Sequence, residues 1–263
     1  MAKVITVPDF RNARMLGNKL TVLTAYDYTI ARLFDGAGVD ALLVGDSLGM
    51  VIQGNSNALS VTLEEMIYHT RCVVKGSYRA LVISDLPFMT YQLSPMQALE
   101  NAGRLIKESG ATAVKLEGGV RSAPAIEACV MADIPVMAHI GMTPQSVHRF
   151  GGFKVQRDAE RIIEDALAVE QAGAFAVVLE CIPAEVAKTI TDQLKIPTIG
   201  IGAGKYCTGQ VLVGQDLLGL YSDIRPKFVK EYINAGTLIK QAVETYVNEV
   251  KTGDFPGEQH SFH

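Results

Sequence analysis

Two periods of hydrophobicity alternate along the chain. Short, unbroken apolar runs are separated by longer stretches in which apolar residues recur at three- and four-residue spacing. Ala41-Leu-Leu-Val-Gly-Asp46-Ser47 is the clearest run: four apolar residues lead into a glycine and then a carboxylate. Such a run reads as a strand buried on both faces, whose C-terminal end presents Asp46 and Ser47 to a pocket. The layout returns in Leu81–Asp85, Ala113–Glu117, Val136–His139 and Ala176–Glu180, each closing on a group that titrates or binds a metal. Five such endings in register imply a shared site.

The intervening stretches carry helix punctuation. Residues 1–19 suggest a lead-in helix or cap, Lys19–Asp27 a first strand, and Asp27 the N-cap of a helix over 28–36. Thr62-Leu-Glu-Glu65 is a capping box, and Leu63, Met66, Ile67, Thr70 and Val74 continue it at helical spacing until Gly76. Ser94-Pro95-Met-Gln97 starts another helix, which Gly110 ends. Further helices are predicted near 122–132, over 157–172 and from Pro183 to Leu194. Strands are predicted at 198–204 and 210–216, and two C-terminal helices at about 226–234 and 237–250 before a polar tail, 251–263. Two long connections stand out: Leu48–Ser60, glycine-hinged and lid-like, and the polar segment Gly141–Gln156.

Eight parallel-type strands alternating with helices, with extra terminal helices, are the arithmetic of a single-domain (β/α)8 TIM barrel spanning residues 1–263. A doubly wound sheet is the competing topology. The barrel is preferred because polar strand ends occur on strands two to six without a localised switch point, and no G-x-G-x-x-G follows the first strand. Gly200-Ile-Gly202-Ala-Gly204 is glycine-rich but follows strand seven, where it is weak evidence of a nucleotide.

Composition narrows the partners. In 263 residues the hydrophobic fraction is 48%, enough for a sizeable core, and the net charge is −4. With a pI near 5.8 and no Lys/Arg cluster, nothing favours nucleic acid or an anionic membrane, so a small molecule is the default partner. No signal peptide or membrane span is evident, which points to a soluble, cytoplasmic protein. Cys72, Cys129, Cys181 and Cys207 lack C-x-x-C spacing and read as reduced packing thiols.

At a barrel mouth Asp46, Asp85 and Glu117 come from neighbouring strands and crowd together. A hard divalent cation such as Mg²⁺ relieves their repulsion; N-caps and surface carboxylates are the blander alternative. Glu180 follows an apolar run with no basic neighbour in sequence, so desolvation is expected to raise its pKa and suit it to proton abstraction beside a carbonyl; pairing with a basic residue elsewhere is the alternative. Lys115 shares a strand face with Glu117 and would bind a substrate carboxylate or form an internal ion pair. His139 is a satisfied barrel histidine or orients a substrate oxygen. Ser47 is a cap or an anion contact, and the Met and Tyr residues elsewhere read as core. These residues together suit metal-assisted enolisation or carbon–carbon bond chemistry on an oxo acid.

The residues also resemble the ketopantoate hydroxymethyltransferase (3-methyl-2-oxobutanoate hydroxymethyltransferase) family over nearly the whole chain. The most specific blocks are Gly45–Met50, Val61–Arg71, Asp85–Met89, Lys115–Gly119, His139–Ser146, Leu179–Pro183, and Ile199–Gly204 with Gly209–Val213. Departures are Thr208, where an acidic residue is expected, and Ala138, where the family often has glycine. The resemblance implies transfer of a hydroxymethyl group from 5,10-methylenetetrahydrofolate to 3-methyl-2-oxobutanoate, giving 2-dehydropantoate and tetrahydrofolate, the first step of pantothenate synthesis. It implies Mg²⁺ on Asp46 and Asp85 with Glu117 in the shell directly or through water. It further implies substrate contacts from Asp46, Ser47, Asp85, Lys115 and His139, Glu180 as base, and a homo-oligomer, typically a decamer. A phosphoenolpyruvate mutase or isocitrate lyase type of enzyme would need a Lys-Lys-Cys-Gly loop that the sequence lacks. A catalytically dead barrel would have lost some of Asp46, Asp85, Glu117 and Glu180, and all four are present.

Overall fold

Eight strands close into one parallel ring in chain order: β1 (Leu20–Thr24), β2 (Ala41–Val44), β3 (Leu81–Asp85), β4 (Ala113–Glu117), β5 (Val136–Gly141), β6 (Ala176–Glu180), β7 (Thr198–Ile201) and β8 (Gly209–Leu212). β1 pairs with both β2 and β8, so no sheet edge is left open. This is the (β/α)8 barrel the sequence predicts. The computed structural model describes residues 3–220 and 226–262, and the chain forms two compact units, Met1–Val213 and Gly214–His263.

The first unit holds the barrel and its helices: α1 (Val7–Met15), α2 (Tyr28–Gly36), α3 (Leu48–Val51), α4 (Leu63–Gly76), α5 (Pro95–Arg104), α6 (Ala123–Met131), α7 (Val147–Phe150), α8 (Ala159–Gln171) and α9 (Ala184–Gln193). The predicted caps are present. Glu65 N–H donates to Thr62 Oγ1 at 3.2 Å while Thr62 N–H donates to Glu65 Oε2 at 2.7 Å, closing the capping box of α4. Ser94 caps α5 ahead of Pro95, and Gly110, at φ +82°, ends the π-helical turn that extends it. Asp35 on α2 accepts three backbone N–H groups, from Tyr78, Arg79 and Ala80, at 3.1, 3.0 and 2.6 Å, pinning the entry to β3.

Both long connections contain structure. The stretch 48–60 opens with the single turn α3, and its remainder is fastened to α4 through Gln53 Nε2 and Glu65 Oε1 at 2.8 Å. Gly141–Gln156 carries a 3-10 turn, Pro144–Ser146, and α7.

The core lies where the sheet and the helices meet. Leu42, Ile83, Leu116 and Met137 are fully buried, each withdrawing a side chain from water for about 1.5–3 kcal/mol. On α4, Leu63, Met66, Ile67 and Thr70 face inward as their spacing predicts, but the next buried position is Val73, and Val74 is only partly buried. Not every Met and Tyr is core: Met15, Met131, Tyr68 and Tyr78 are exposed.

Register places the polar strand ends. Asp85 is level with Lys115, Glu117 with His139, and Gly141 with Glu180, and residues level across a ladder share a face. The seams differ in extent: β5 and β6 align from Met137↔Ala176 to Gly141↔Glu180, whereas β7 meets β8 only through Ile199↔Gly209 and Gly200↔Gln210.

The second unit contains α10 (Gly214–Leu217) and α11 (Ala235–Thr252). Two expectations are corrected here. Residues 214–216 form a helical turn instead of extending β8. Residues 226–234 are not helical, because Tyr232 N–H bonds Leu217 O and Ala235 N–H bonds Leu218 O in place of i−4 partners. Among the described residues no helix is long and apolar enough to cross a membrane, and all four cysteines are free thiols.

Candidate active site

The C-terminal ends of β2 to β6 deliver one connected set of side chains. Asp46, Asp85, Lys115, Glu117 and His139 are all buried. Lys115 Nζ lies 2.6 Å from Asp85 Oδ2, so the internal ion pair considered from the sequence is formed. Asp46 N–H points to the same oxygen at 3.4 Å. His139 sits between the two halves of the set. Its Nδ1 is 3.4 Å from Lys115 Nζ and 3.5 Å from Glu117 Oε1, and its Nε2 is 3.1 Å from Glu180 Oε2. Glu180 is therefore linked through one imidazole to the acidic cluster. Its side chain keeps 13% exposure, so it is a paired carboxylate at the rim of the cluster, not an isolated one in an apolar pocket. Ser47 is half-buried, with its hydroxyl 2.8 Å from Tyr26 Oη.

Electrostatics set these groups apart. Burial, then the charges of Asp85 and Glu117, holds Asp46 well above the ordinary carboxylate range; its side-chain partner is an amide, not a cation. Burial also raises Asp85, with Lys115 opposing. Glu117 is lowered: burial works against its ionisation, but His139, Lys115 and the N–H of Gln145 outweigh it. Burial and Lys115 push His139 down, yet Glu117 and Glu180 raise it to about 9. Burial opposes charging Lys115 too, and the three surrounding acids overcome that.

Two residues outside the expected set bind this cluster together. Gln145, on the turn after β5, donates from Nε2 to Asp46 Oδ2 at 2.9 Å and from its backbone N–H to Glu117 Oε2 at 3.0 Å. Tyr91 donates to Gln145 Oε1 at 2.7 Å and accepts from Glu117 N–H at 3.1 Å. Both lie in or near blocks noted in the sequence, but a neutral amide and a phenol leave no charge pattern there.

Glu180 is placed by close backbone approach. Met142 N–H donates to Glu180 O at 2.9 Å across the β5–β6 exit. Between them Gly141 adopts φ +95°, and a Cβ on it would fall on Glu180 O and 2.8 Å from Ile182 Cγ2. Cys181 follows at φ +49°, its N–H bonded to Ile201 O at 2.9 Å.

The donor set suits a hard cation. Asp85 Oδ1 and Glu117 Oε1 are buried with no hydrogen-bond partner, and an ionised carboxylate oxygen can only accept. Among the described residues no three His, Cys, Asp or Glu side chains are arranged to hold a metal by themselves. A cation held here would have few protein ligands and would take the rest from water and substrate, as Mg²⁺ usually does.

Known proteins resemble the chain along its length. The profile of the family described as ketopantoate hydroxymethyltransferase matches residues 4–258. The 3-methyl-2-oxobutanoate hydroxymethyltransferase of Clostridium beijerinckii is 56% identical over 261 residues, covering 98% of this chain and 95% of its own. The protein of that name from Trichlorobacter lovleyi is 57% identical over 265 residues, covering both chains in full. Among solved structures, 2,3-dimethylmalate lyase, a PEP mutase/isocitrate lyase superfamily member, superposes with a TM-score of 0.64 at 20% identity, over 99% of this chain and 92% of its own. That likeness is one of fold.

Proposed function

The chain belongs to the ketopantoate hydroxymethyltransferase family, and from that membership we propose how its barrel mouth works. It converts 3-methyl-2-oxobutanoate, 5,10-methylenetetrahydrofolate and water to 2-dehydropantoate and tetrahydrofolate, at the entry to pantothenate synthesis. Asp46 and Asp85 would hold Mg²⁺, with Glu117 in the shell directly or through water. A bound divalent cation supplies electron withdrawal from the keto group, which acidifies the C3 proton.

The remaining steps belong to the chain's own side chains. Ser47, its hydroxyl set by Tyr26, and Lys115 orient the oxo acid. Glu180 takes the proton from C3, with the His139 imidazole 3.1 Å away as its charge partner. The carbon so activated forms the new bond to the folate's methylene group, and water releases tetrahydrofolate. Lys115 keeps the buried Asp85 paired. The protein works in the cytoplasm, where its thiols stay reduced, and as a homo-oligomer, a decamer as in its family.

The observation that carries this is the link, through His139, between Glu180 and a buried cluster of acids with unpartnered oxygens. Deuterium exchange at C3 of 3-methyl-2-oxobutanoate, without folate, tests it. Mg²⁺-dependent exchange is expected in the native protein and none in Glu180→Gln. Exchange at the native rate in that variant would remove Glu180 from its role.

A further inference from the structure

We propose that Gln145 and Tyr91 are positioning residues that hold Asp46 and Glu117 in the orientation a divalent cation requires. This rests on the cation site proposed above and adds residues that touch neither ion nor substrate.

The side-chain amide of Gln145 is fully committed. Its Oε1 accepts from Tyr91 Oη at 2.7 Å and from Gln92 Nε2 at 3.0 Å; its Nε2 donates to Asp46 Oδ2 at 2.9 Å and to Leu86 O at 3.0 Å. Two donors on one end and two acceptors on the other fix which way the amide faces, so Asp46 is met by N–H and never by oxygen. Tyr91 sets that direction. Its hydroxyl is closer to Gln145 Oε1, at 2.7 Å, than to the other acceptor in reach, Glu117 O at 3.2 Å.

The backbone contributes the second tether, Gln145 N–H to Glu117 Oε2, while Glu117 N–H donates to Tyr91 Oη. One residue on the turn after β5 thus grips a carboxylate from the end of β2 and another from β4, bridging over Leu86 at the end of β3. One oxygen of each is occupied and its rotamer fixed. Asp85 Oδ1 is buried with no hydrogen-bond partner, and Glu117 Oε1 has only the His139 imidazole, at 3.5 Å. Leaving buried polar atoms unsatisfied costs about 1–3 kcal/mol each, a cost a cation removes.

Partners that orient metal ligands typically change affinity by about 10–100-fold when lost. Mn²⁺ titrated into the full chain, with free ion read by electron paramagnetic resonance, measures this without turnover. Gln145→Met is expected to bind Mn²⁺ about 10–100-fold more weakly. Tyr91→Phe is expected to bind more weakly by a smaller factor, because Gln92 still marks Oε1. The two changes together should be less than multiplicative, since Tyr91 acts through the amide. C3 exchange in Gln145→Met should recover when Mg²⁺ is raised above the weakened affinity, whereas Glu180→Gln should stay inactive. Native Mn²⁺ affinity in both Gln145→Met and Tyr91→Phe, or an exchange defect that saturating Mg²⁺ does not relieve, would overturn the proposal. Failure of the unaltered protein to bind Mn²⁺ would instead remove the cation site, and the tether with it. If Gln145→Met does not fold, Tyr91→Phe alone decides.

Discussion

Gly141→Ala should damage both stability and chemistry, by amounts that can be separated. The residue sits at φ +95°, where an L side chain costs roughly 1–2 kcal/mol. Its Cβ would meet Glu180 O and Ile182 Cγ2. Because Glu180 O already accepts Met142 N–H, backbone must move, at about 1–3 kcal/mol for overpacking. The total is about 2–5 kcal/mol. Gly38→Ala isolates the first contribution, since Gly38 has φ +92° and nothing within 4 Å of a built Cβ; it should lose about 1–2 kcal/mol. Denaturant unfolding of the two variants gives the difference. Only Gly141→Ala moves Glu180, and a displacement near 1 Å is expected to slow C3 exchange on the order of 100-fold. Equal stability losses in the two variants, with exchange intact in Gly141→Ala, would refute the placement of Glu180 by this contact.

Other outcomes follow from the same geometry. Asp35→Ala removes the acceptor of three backbone N–H groups, of which that of Ala80 is buried, and should cost about 1–3 kcal/mol near neutral pH by thermal unfolding. Burial pushes Asp35 up, but those N–H bonds win and its pKa lies below the ordinary value. The benefit is therefore complete above that value and fades as pH falls through the lowered one, so the two proteins should converge in acid. Lys115→Met leaves buried Asp85 without its cation and should lose about 3–5 kcal/mol when unfolding is measured in chelator, with part of the loss returning on addition of Mg²⁺. Thr62→Ala breaks the capping box of α4 and should cost about 1 kcal/mol, with no change in Mn²⁺ affinity.

What was legible in the sequence was local. An apolar run ending in Asp, Glu or His announces a strand delivering that group, and Asp27, Thr62 and Ser94 announce helix starts because capping needs only the next few residues. The pairing of Asp85 with Lys115 and of His139 with two glutamates depends on how strands align around the ring, which no single segment encodes. Gln145 stayed hidden because its importance lies in neutral hydrogen bonds to residues up to 99 positions away. The helix expected at about 226–234 does not form, because backbone groups there bond elsewhere in the chain.

The short meeting of β7 and β8 gives the ring a preferred place to part. Every backbone group in a closed barrel is normally shielded from templating another chain. Here only two residue pairs are in register, beside the glycines of Gly200–Gly204, with Thr198 and Thr208 tying the strands together through their hydroxyls. Transient parting at this join would bare two strand flanks at once, making it the natural starting point for self-association under heat or chemical stress. Reinforcing that junction is thus a route to a hardier protein that leaves Asp46, Asp85 and Glu117, on β2 to β4, untouched.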